Sequence, residues 1–430
     1  SCLPARSTLW SGQNQWHTGV LGMGRGQGPI PNNFAHTLAG EFTAAGYRTH
    51  LVGKGHFQPQ RSLMGFETTE LDESGRMAES DHRRWFAAHA PAGVTPDDHG
   101  VDWNSWHARP WHTHEYLHPT AWTMMRSIDF LQTRDPNRPF FLTISFARPH
   151  SPYVPPPYYF ERYERGETPP PYLGDWSTMH DDPVEAVNAN AWRGRKSPAQ
   201  IHRARAGYYG EIAFIDTQIG RLMNWLRRNG LADDTWLLFT SDHGDMVGDH
   251  NLWRKTYAYE GSSRVPFLVA PAQRHMQSAR RVADDVVELR DIMPTLLDAA
   301  GLPIPATVDG RSVLPLMQGP VADWRTYIHG EHCTCYHPDQ EMQYVTDGKR
   351  KLIWLPRLGR EQFFDLESDP GECHDLIEDV SRQAEIATWR GYLVDELAAR
   401  DCGWVQEGKL HCPDKEPLIS PYRNIRWLGV

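Results

Sequence analysis

Five short polar clusters along the chain carry residue types that nucleophilic and acid–base chemistry uses. The first is Cys2-Leu3-Pro4-Ala5-Arg6, in which a thiol precedes a guanidinium by four positions. A thiolate is a strong nucleophile, and a nearby cation stabilises it. An ordinary thiol in a turn fits the same letters, so this spacing alone leaves both interpretations open.

The other four clusters supply cations, imidazoles and a carboxylate. They contain Lys54 with His56, His150, Asp242 with His243, and Lys255. Ammonium and imidazole groups bind anions and move protons, while carboxylate and imidazole groups bind divalent cations. A solvated lysine or a structural histidine remains an alternative at each position taken singly.

These clusters follow segments whose patterns predict strands of an α/β domain. Apolar runs at 48–52, 140–146 and 236–239 predict strands, and 265–269 predicts another. Residues 32–45 favour a helix that stops at Gly46. The long apolar repeat of Ile212, Ile215, Ile219, Leu222 and Leu226 favours a helix that ends at Gly230. We expect a mainly parallel sheet sandwiched by helices, with the clusters gathered at its carboxyl edge.

A second, smaller α+β domain is expected near the carboxyl terminus. Segments 342–346 and 351–355 flank the turn Asp347-Gly348, and 362–366 adds a strand, which predicts an antiparallel sheet. Ile386, Trp389, Leu393 and Leu397 mark one helix face. We predict a catalytic domain at 1–320, the α+β domain at 321–400 and an irregular tail at 401–430.

The clusters, taken in order, resemble the type I, formylglycine-dependent sulfatases of the alkaline-phosphatase superfamily, and among them the bacterial arylsulfatases. Leu9 and Gly12 complete the first signature, and the later stretches Val308-Asp309-Gly310 and Phe364-Asp365-Leu366 also match. The match departs at Ala5, Ser11 and Gly55, where Ser, Thr and Trp are commoner.

The resemblance implies a role for each cluster. Cys2 would be oxidised to formylglycine by a maturing enzyme; one hydroxyl of the hydrated aldehyde attacks sulfur and the other later expels sulfate. Arg6 would position the nucleophile loop, and His56 would promote breakdown of the sulfated intermediate. Sulfate binding and leaving-group departure would fall to Lys54, His150 and Lys255.

The resemblance also implies a divalent metal, calcium in most of the family, held by Asp242, His243 and the group derived from Cys2. Asp245, Asp249 and His250 look structural. The family takes two further aspartates from a strand that precedes the cysteine. We therefore expect an upstream segment of roughly 20 to 60 residues that supplies this strand and both aspartates.

The substrate expected is a sulfate ester of a sugar or an aryl alcohol. Arg109, in a patch rich in tryptophan and histidine, is the candidate for substrate specificity, although a packed surface loop explains the patch as well. One alternative is a phosphonate monoester or phosphodiester hydrolase with the same nucleophile. Another is a non-catalytic protein that binds sulfated glycans.

The composition of the chain limits which classes of binding partner we expect. The formal net charge is −10, which argues against a general nucleic-acid-binding surface. No apolar run approaches the ~20 residues that span a membrane. The compartment and the oligomeric state cannot be predicted.

The other cysteines are too sparse for a disulfide scaffold; Cys402 and Cys412 could pair or stay free. A zinc site among His329, His332, Cys333, Cys335 and His337 lacks paired Cys-x-x-Cys spacing.

Overall fold

The first half of the chain is built around a three-stranded parallel sheet. The computed structural model describes residues 1–23, 27–275, 281–400, 402–412 and 418–423. Strands β1 (Arg48–Gly53), β2 (Thr68–Leu71) and β3 (Phe140–Ser145) lie in the order β2-β1-β3. The two strands expected at 48–52 and 140–146 are confirmed, and β2 is an addition. Because all three run in the same direction, the segments that follow them meet at one edge.

Seven helices belong to this half of the chain. Their bounds are α1 (Cys2–Ser11), α2 (Gln15–Thr18), α3 (Leu38–Ala44), α4 (Asp81–His89), α5 (Pro119–Thr133), α6 (Pro157–Glu164) and α7 (Pro198–Arg228). α7 starts at a capping box formed by Ser197 and Gln200, with Pro198 in the first helical position. The expected helix at 32–45 begins only at Leu38, because the side chain of Thr37 accepts from Gly40 N and caps it.

Helices cover both faces of the parallel sheet. On one face Phe42 of α3 stacks on Phe141 of β3, with ring centroids 4.4 Å apart. On the other face the alternate residues of β3, Leu142 and Ile144, pack with apolar residues of α5 and α7. The expected helix–sheet–helix arrangement is present. Ile212, assigned from sequence to the apolar face of α7, is instead 41% exposed.

A separate pair of strands carries the next site segment. β4 (Leu237–Thr240) and β5 (Phe267–Ala270) pair antiparallel, with α8 (Glu260–Ser263) between them and α9 (Ile292–Ala299) after them. Among the described residues, β4 is hydrogen-bonded to β5 and not to β3. The strand expected from an upstream segment stays a prediction.

The carboxyl-terminal part is built on a four-stranded antiparallel sheet. Its strands are β6 (Ile328–His332), β7 (Met342–Thr346), β8 (Arg350–Leu355) and β9 (Arg360–Asp365), in sequence order. α10 (Gln383–Ala398) buries all four apolar residues predicted for its inner face against this sheet. The expected antiparallel sheet and helix are therefore present, whereas the boundaries at 320 and 400 remain a proposal.

The described part of the tail is more regular than expected. β10 (Val405–Gln406) and β11 (Lys409–Leu410) form a short hairpin. Leu418 and Ser420 return to the amino-terminal part, where the Ser420 hydroxyl donates to the carbonyl of Trp16 at 2.6 Å. The rest of the predicted tail lies outside the described residues.

A buried lysine joins the carboxyl-terminal sheet to the first part of the chain. Lys351 of β8 is fully buried, and its Nζ donates to Glu260 Oε1 at 2.6 Å, to Glu372 Oε1 at 2.8 Å and to the Ala258 carbonyl at 2.8 Å. A buried charge is tolerated only when it is paired and hydrogen-bonded in this way. The contact fixes the sheet against the segment that leads from Lys255 to α8.

Cys402 and Cys412 are not joined by a disulfide bond. Within the described residues, no helix is both long and apolar enough to cross a bilayer.

Candidate active site

Cys2 lies at the start of α1, buried to 1% exposure. Its Sγ lies 3.1 Å from His243 Nε2 and 3.5 Å from Lys54 Nζ. Gly12, in the left-handed region at φ 68°, ends α1, and its carbonyl accepts from the N–H groups of Asp309 and Gly310. The stretch around Asp309, noted in the sequence, thus holds the carboxyl end of the helix whose other end carries Cys2.

A carboxylate and two cations lie beside the thiol. Asp242, which follows β4, has its Oδ2 2.9 Å from Lys54 Nζ and 3.6 Å from Arg6 NH1. Arg6 also donates to the carbonyls of Lys54 and Gly55. Burial opposes the charged form of Asp242, yet Lys54, His243 and Arg6 hold the pKa of that carboxyl well below its usual value. Arg6 therefore ties α1 to the loop after β1.

The loop after β1 is shaped by a glycine and a buried glutamate. Gly53 has φ 104°, and a Cβ there would lie 2.0 Å from the Ser145 carbonyl oxygen, so only glycine fits. Glu73 Oε1 accepts from the N–H groups of Gly55 at 3.1 Å and His56 at 2.8 Å. These bonds hold His56 at φ 60°, an unusual backbone for a non-glycine residue. Burial lowers the pKa of its ring, and the neighbouring Cys2 opposes this shift.

His150 and Lys255 form a pair on the other side of the thiol. Lys255 Nζ lies 2.6 Å from His150 Nε2, and His150 Nδ1 lies 2.8 Å from the Ser151 carbonyl oxygen. Because a carbonyl only accepts, the ring proton sits on Nδ1 and Nε2 accepts from the Lys255 ammonium. Burial and the charge of Lys255 lower the pKa of His150 to about 3, so this imidazole is neutral. Trp103 stacks on the His150 ring, with centroids 4.7 Å apart.

His243 has the geometry of a metal ligand. Its Nδ1 donates to the Gly244 carbonyl at 2.7 Å, which leaves the Nε2 lone pair directed at Cys2. Ligating histidines commonly use the second ring nitrogen in this way. The ligand atoms of Cys2, His150 and His243 lie within 4.8 Å of one another. His150 Nε2 already accepts from Lys255, so the groups left to hold a divalent cation are Cys2, His243 and Asp242, whose Oδ1 lies 3.7 Å from His243 Nε2. They fit part of a calcium shell, which takes six to eight ligands, since one carboxylate supplies two at most.

The electrostatic surroundings favour an anion at residue 2. Burial alone would raise the pKa of the Cys2 thiol, but Lys54, Lys255 and His243 together bring it well below its usual value. The first position of a helix adds to this effect, since the free N–H groups carry partial positive charge. A negatively charged group bound here would meet the same cations.

The structure brings together all the predicted site residues except one. Cys2, Arg6, Lys54, His56, His150, Asp242, His243 and Lys255 form one connected cluster. Arg109 is exposed and lines a separate groove with His107 and Arg203. Among the described residues, the candidate zinc cluster around Cys333 does not appear as a set of converging metal ligands.

Three residues next to the cluster were missed from sequence: Asp72, Glu73 and Trp103. Asp72 and Glu73 directly follow β2, so an acidic pair after a strand was the available signal. Trp103 lies in the tryptophan- and histidine-rich patch that pointed to Arg109, and no spacing rule distinguishes between the two.

Comparison with known proteins agrees with this geometry. The family described as Sulfatase matches residues 1–302, and the family described as N-sulphoglucosamine sulphohydrolase, C-terminal, matches residues 248–397. An arylsulfatase of Clostridium perfringens is 40% identical over 441 residues, covering 99% of this chain and 90% of that relative. A choline-sulfatase of Rhizobium meliloti is 30% identical, covering 90% and 75%.

Solved structures share the fold at lower identity. The phosphonate monoester hydrolase of Agrobacterium radiobacter superposes with a TM-score of 0.76 at 23% identity, covering 97% of this chain and 90% of that one. A protein in complex with its substrate D-glucosamine-2-N,6-O-disulfate superposes with a TM-score of 0.70 at 18% identity, covering 93% and 88%.

Proposed function

Because this chain belongs to the sulfatase family and is a sulfuric ester hydrolase, we propose that Cys2, converted to formylglycine, is its nucleophile. The observation that carries the proposal is the place of Cys2 Sγ, buried between Lys54 Nζ at 3.5 Å and His243 Nε2 at 3.1 Å. A hydrated formylglycine supplies an oxygen nucleophile that can later release sulfate without attack by water on sulfur.

Two ammonium groups, those of Lys54 and Lys255, are proposed to bind the sulfate group, and His150 acts through Lys255. Lys54 and Lys255 place two ammonium groups on different sides of residue 2, and charge fixed in advance stabilises a transition state better than water does. Lys255 is also the proton-bearing partner of the neutral His150, so a proton for the leaving oxygen is best supplied from this pair. His56, whose pKa burial lowers and whose ring interacts with residue 2, is suited to accept a proton when the sulfated intermediate breaks down.

We propose calcium as the metal, with Asp242, His243 and the oxygen that replaces the Cys2 sulfur among its ligands. A hard cation here supplies positive charge next to the nucleophile and the sulfate oxygens. Arg6 holds Asp242 and the Lys54 loop in place.

The proposed substrates are sulfate esters of sugars or aryl alcohols. Turnover of p-nitrophenyl sulfate by the full chain tests the reaction, and Cys2→Ala should abolish it. Cys373→Ala is the matched control, because Cys373 is a free thiol outside the cluster. Activity retained in Cys2→Ala would refute the proposed nucleophile.

Phosphonate monoester hydrolysis is the second candidate, favoured by the fold shared with that class. Two lysines around the anion site suit either ester. Rates on p-nitrophenyl sulfate and on a phenyl phosphonate monoester, measured with the same preparation, decide the order of preference. A higher kcat/KM on the phosphonate would make sulfate hydrolysis the secondary activity.

A further inference from the structure

Arg148 holds the backbone turn that carries His150. The residue is 6% exposed, and its NH1 donates to the carbonyl of His150 at 2.8 Å and to the carbonyl of Pro152 at 2.9 Å. One guanidinium group thus binds the turn at His150 itself and two residues beyond it. Because His150 Nε2 lies 2.6 Å from Lys255 Nζ, the geometry of this turn sets the geometry of the His150–Lys255 pair.

The charge of Arg148 is buried against a glutamate of α7. Glu211 is fully buried, and its Oε1 lies 3.8 Å from Arg148 Nε. Burial lowers the pKa of Arg148, and Glu211 opposes this shift more than any other group. The carboxylates of Asp72 and Asp97 oppose it less. Since a buried guanidinium is tolerated only when it is paired, Glu211 is the main counter-charge of Arg148.

The pair depends on charge more than on a direct hydrogen bond. Arg148 Nε and Glu211 Oε2 are both buried, and neither has a hydrogen-bond partner. The other oxygen, Glu211 Oε1, accepts from Val154 N at 3.1 Å and so holds the chain just beyond the turn. A side chain of the same shape without the charge would keep the Val154 contact and lose the attraction to Arg148.

The histidine beside Glu211 does not replace Arg148 as the cation. His118 Nε2 lies 3.7 Å from Glu211 Oε1. Its Nδ1 accepts from Thr120 N at 3.1 Å, so the ring proton sits on Nε2, which donates to the Val154 carbonyl at 3.2 Å. The ring is therefore neutral, and Arg148 supplies the charge that balances Glu211.

We propose that Glu211 is a positioning residue for the reaction: by balancing the charge of Arg148 it fixes the turn that presents His150, and through it the proton that Lys255 delivers. The inference rests on the proposed function, in which this pair protonates the leaving oxygen. The ionised hydroxyl of the formylglycine diol bonds to sulfur, and the bond from sulfur to the leaving oxygen breaks with its electron pair on that oxygen. The oxygen takes a proton from the Lys255 ammonium, which becomes a neutral amine.

The test varies the leaving group. kcat/KM is measured on phenyl sulfate and on p-nitrophenyl sulfate, and the first value is divided by the second. The leaving oxygen of phenyl sulfate is the more basic and needs the proton more. Glu211→Gln keeps the shape of the side chain and removes its charge, and we expect it to lower this ratio by about fivefold or more. Lys255→Ala removes the proton itself and should lower the ratio in the same direction.

Arg148→Lys is the second variant. It keeps a buried cation beside Glu211 but loses the planar fork that reaches two carbonyls, so the ratio should fall by a similar factor. This variant decides the matter if Glu211→Gln does not fold. Asp216→Asn is the matched control, because Asp216 is exposed on the same helix, and its ratio should stay within about twofold of the wild type.

An unchanged ratio in either folded variant overturns the inference. Equal losses of kcat/KM on the two esters overturn it as well, since they would show that Glu211 and Arg148 support the fold without aligning the proton donor. An unchanged ratio in Lys255→Ala would refute the proposed proton donor and the inference with it. Absence of wild-type turnover on both esters would instead refute the proposed function.

Discussion

Lys255 Nζ lies 2.6 Å from His150 Nε2, and this contact determines which of the two carries the transferable proton. Since His150 Nδ1 donates to the Ser151 carbonyl, His150 can only accept at Nε2. The pair therefore presents an ammonium and a neutral imidazole to the anion site. This refines the role expected for His150 from sequence, because the proton then belongs to Lys255.

Lys255→Ala removes both the charge and the proton of that pair. We expect kcat on p-nitrophenyl sulfate to fall by about 100-fold or more, since preorganised charge acts most on the transition state. Lys349→Ala, at an exposed lysine 3.8 Å from Glu367, is the control and should leave kcat unchanged. A change confined to KM would mean that Lys255 contributes only to ground-state binding.

Glu73 is predicted to act on catalysis through the backbone of the Lys54–His56 loop. Glu73→Ala leaves the Gly55 and His56 N–H groups without their acceptor, and we expect kcat to fall by about tenfold or more. Glu73→Gln retains a side-chain oxygen for both bonds and should restore most of the rate. Equal losses in the two variants would show that the carboxylate charge, rather than the hydrogen bonds, is what matters.

Asp242 is the proposed metal ligand, whereas Asp245 is expected to be structural. Asp245 accepts from the Tyr153 hydroxyl at 2.8 Å and from Arg254 N at 2.9 Å, so its oxygens are already engaged. Asp242→Asn should weaken binding of the divalent cation by about tenfold or more, measured by metal analysis and calcium titration. Asp245→Asn should retain the metal. Undiminished calcium affinity in Asp242→Asn would remove Asp242 from the proposed shell.

Lys351→Met tests the contact between the carboxyl-terminal sheet and the rest of the chain. It leaves Glu260 and Glu372 without their shared cation, and we expect a loss of about 3–5 kcal/mol in the free energy of unfolding. Denaturant unfolding measures this loss, with Lys349→Met as the exposed comparison at about 0–1 kcal/mol. Similar losses in the two variants would show that burial of the Lys351 ion pairs adds little.

Most of the helices and strands could be predicted, because the sequence patterns that indicate them are local. β1 and β3 are short apolar runs, the β7–β8 hairpin has Asp347-Gly348 at its turn, and α10 repeats its apolar residues with helical spacing. The predicted start of α3 was six residues too early, because the sequence pattern did not reveal Thr37 as the residue that caps the helix. β2 was missed because Thr68–Leu71 is short and three of its four residues are polar.

The site residues, too, could be predicted only where the signal is local in sequence. The cluster around Cys2 could be predicted because each member lies in a short signature. Glu73 and Trp103 could not, since their importance comes from tertiary contacts with His56 and His150. Arg109 lies in the same patch as Trp103 but lines an adjoining groove to which Trp103 does not contribute, and its role in specificity stays a prediction.

The most direct test of the central claim is the mass of the peptide that carries residue 2, taken from a preparation with measured sulfatase activity. The account predicts formylglycine there, lighter than cysteine by the exchange of sulfur for oxygen and the loss of two hydrogens, in a fraction that tracks kcat across preparations. A fully active preparation in which residue 2 is entirely an unmodified thiol would contradict it.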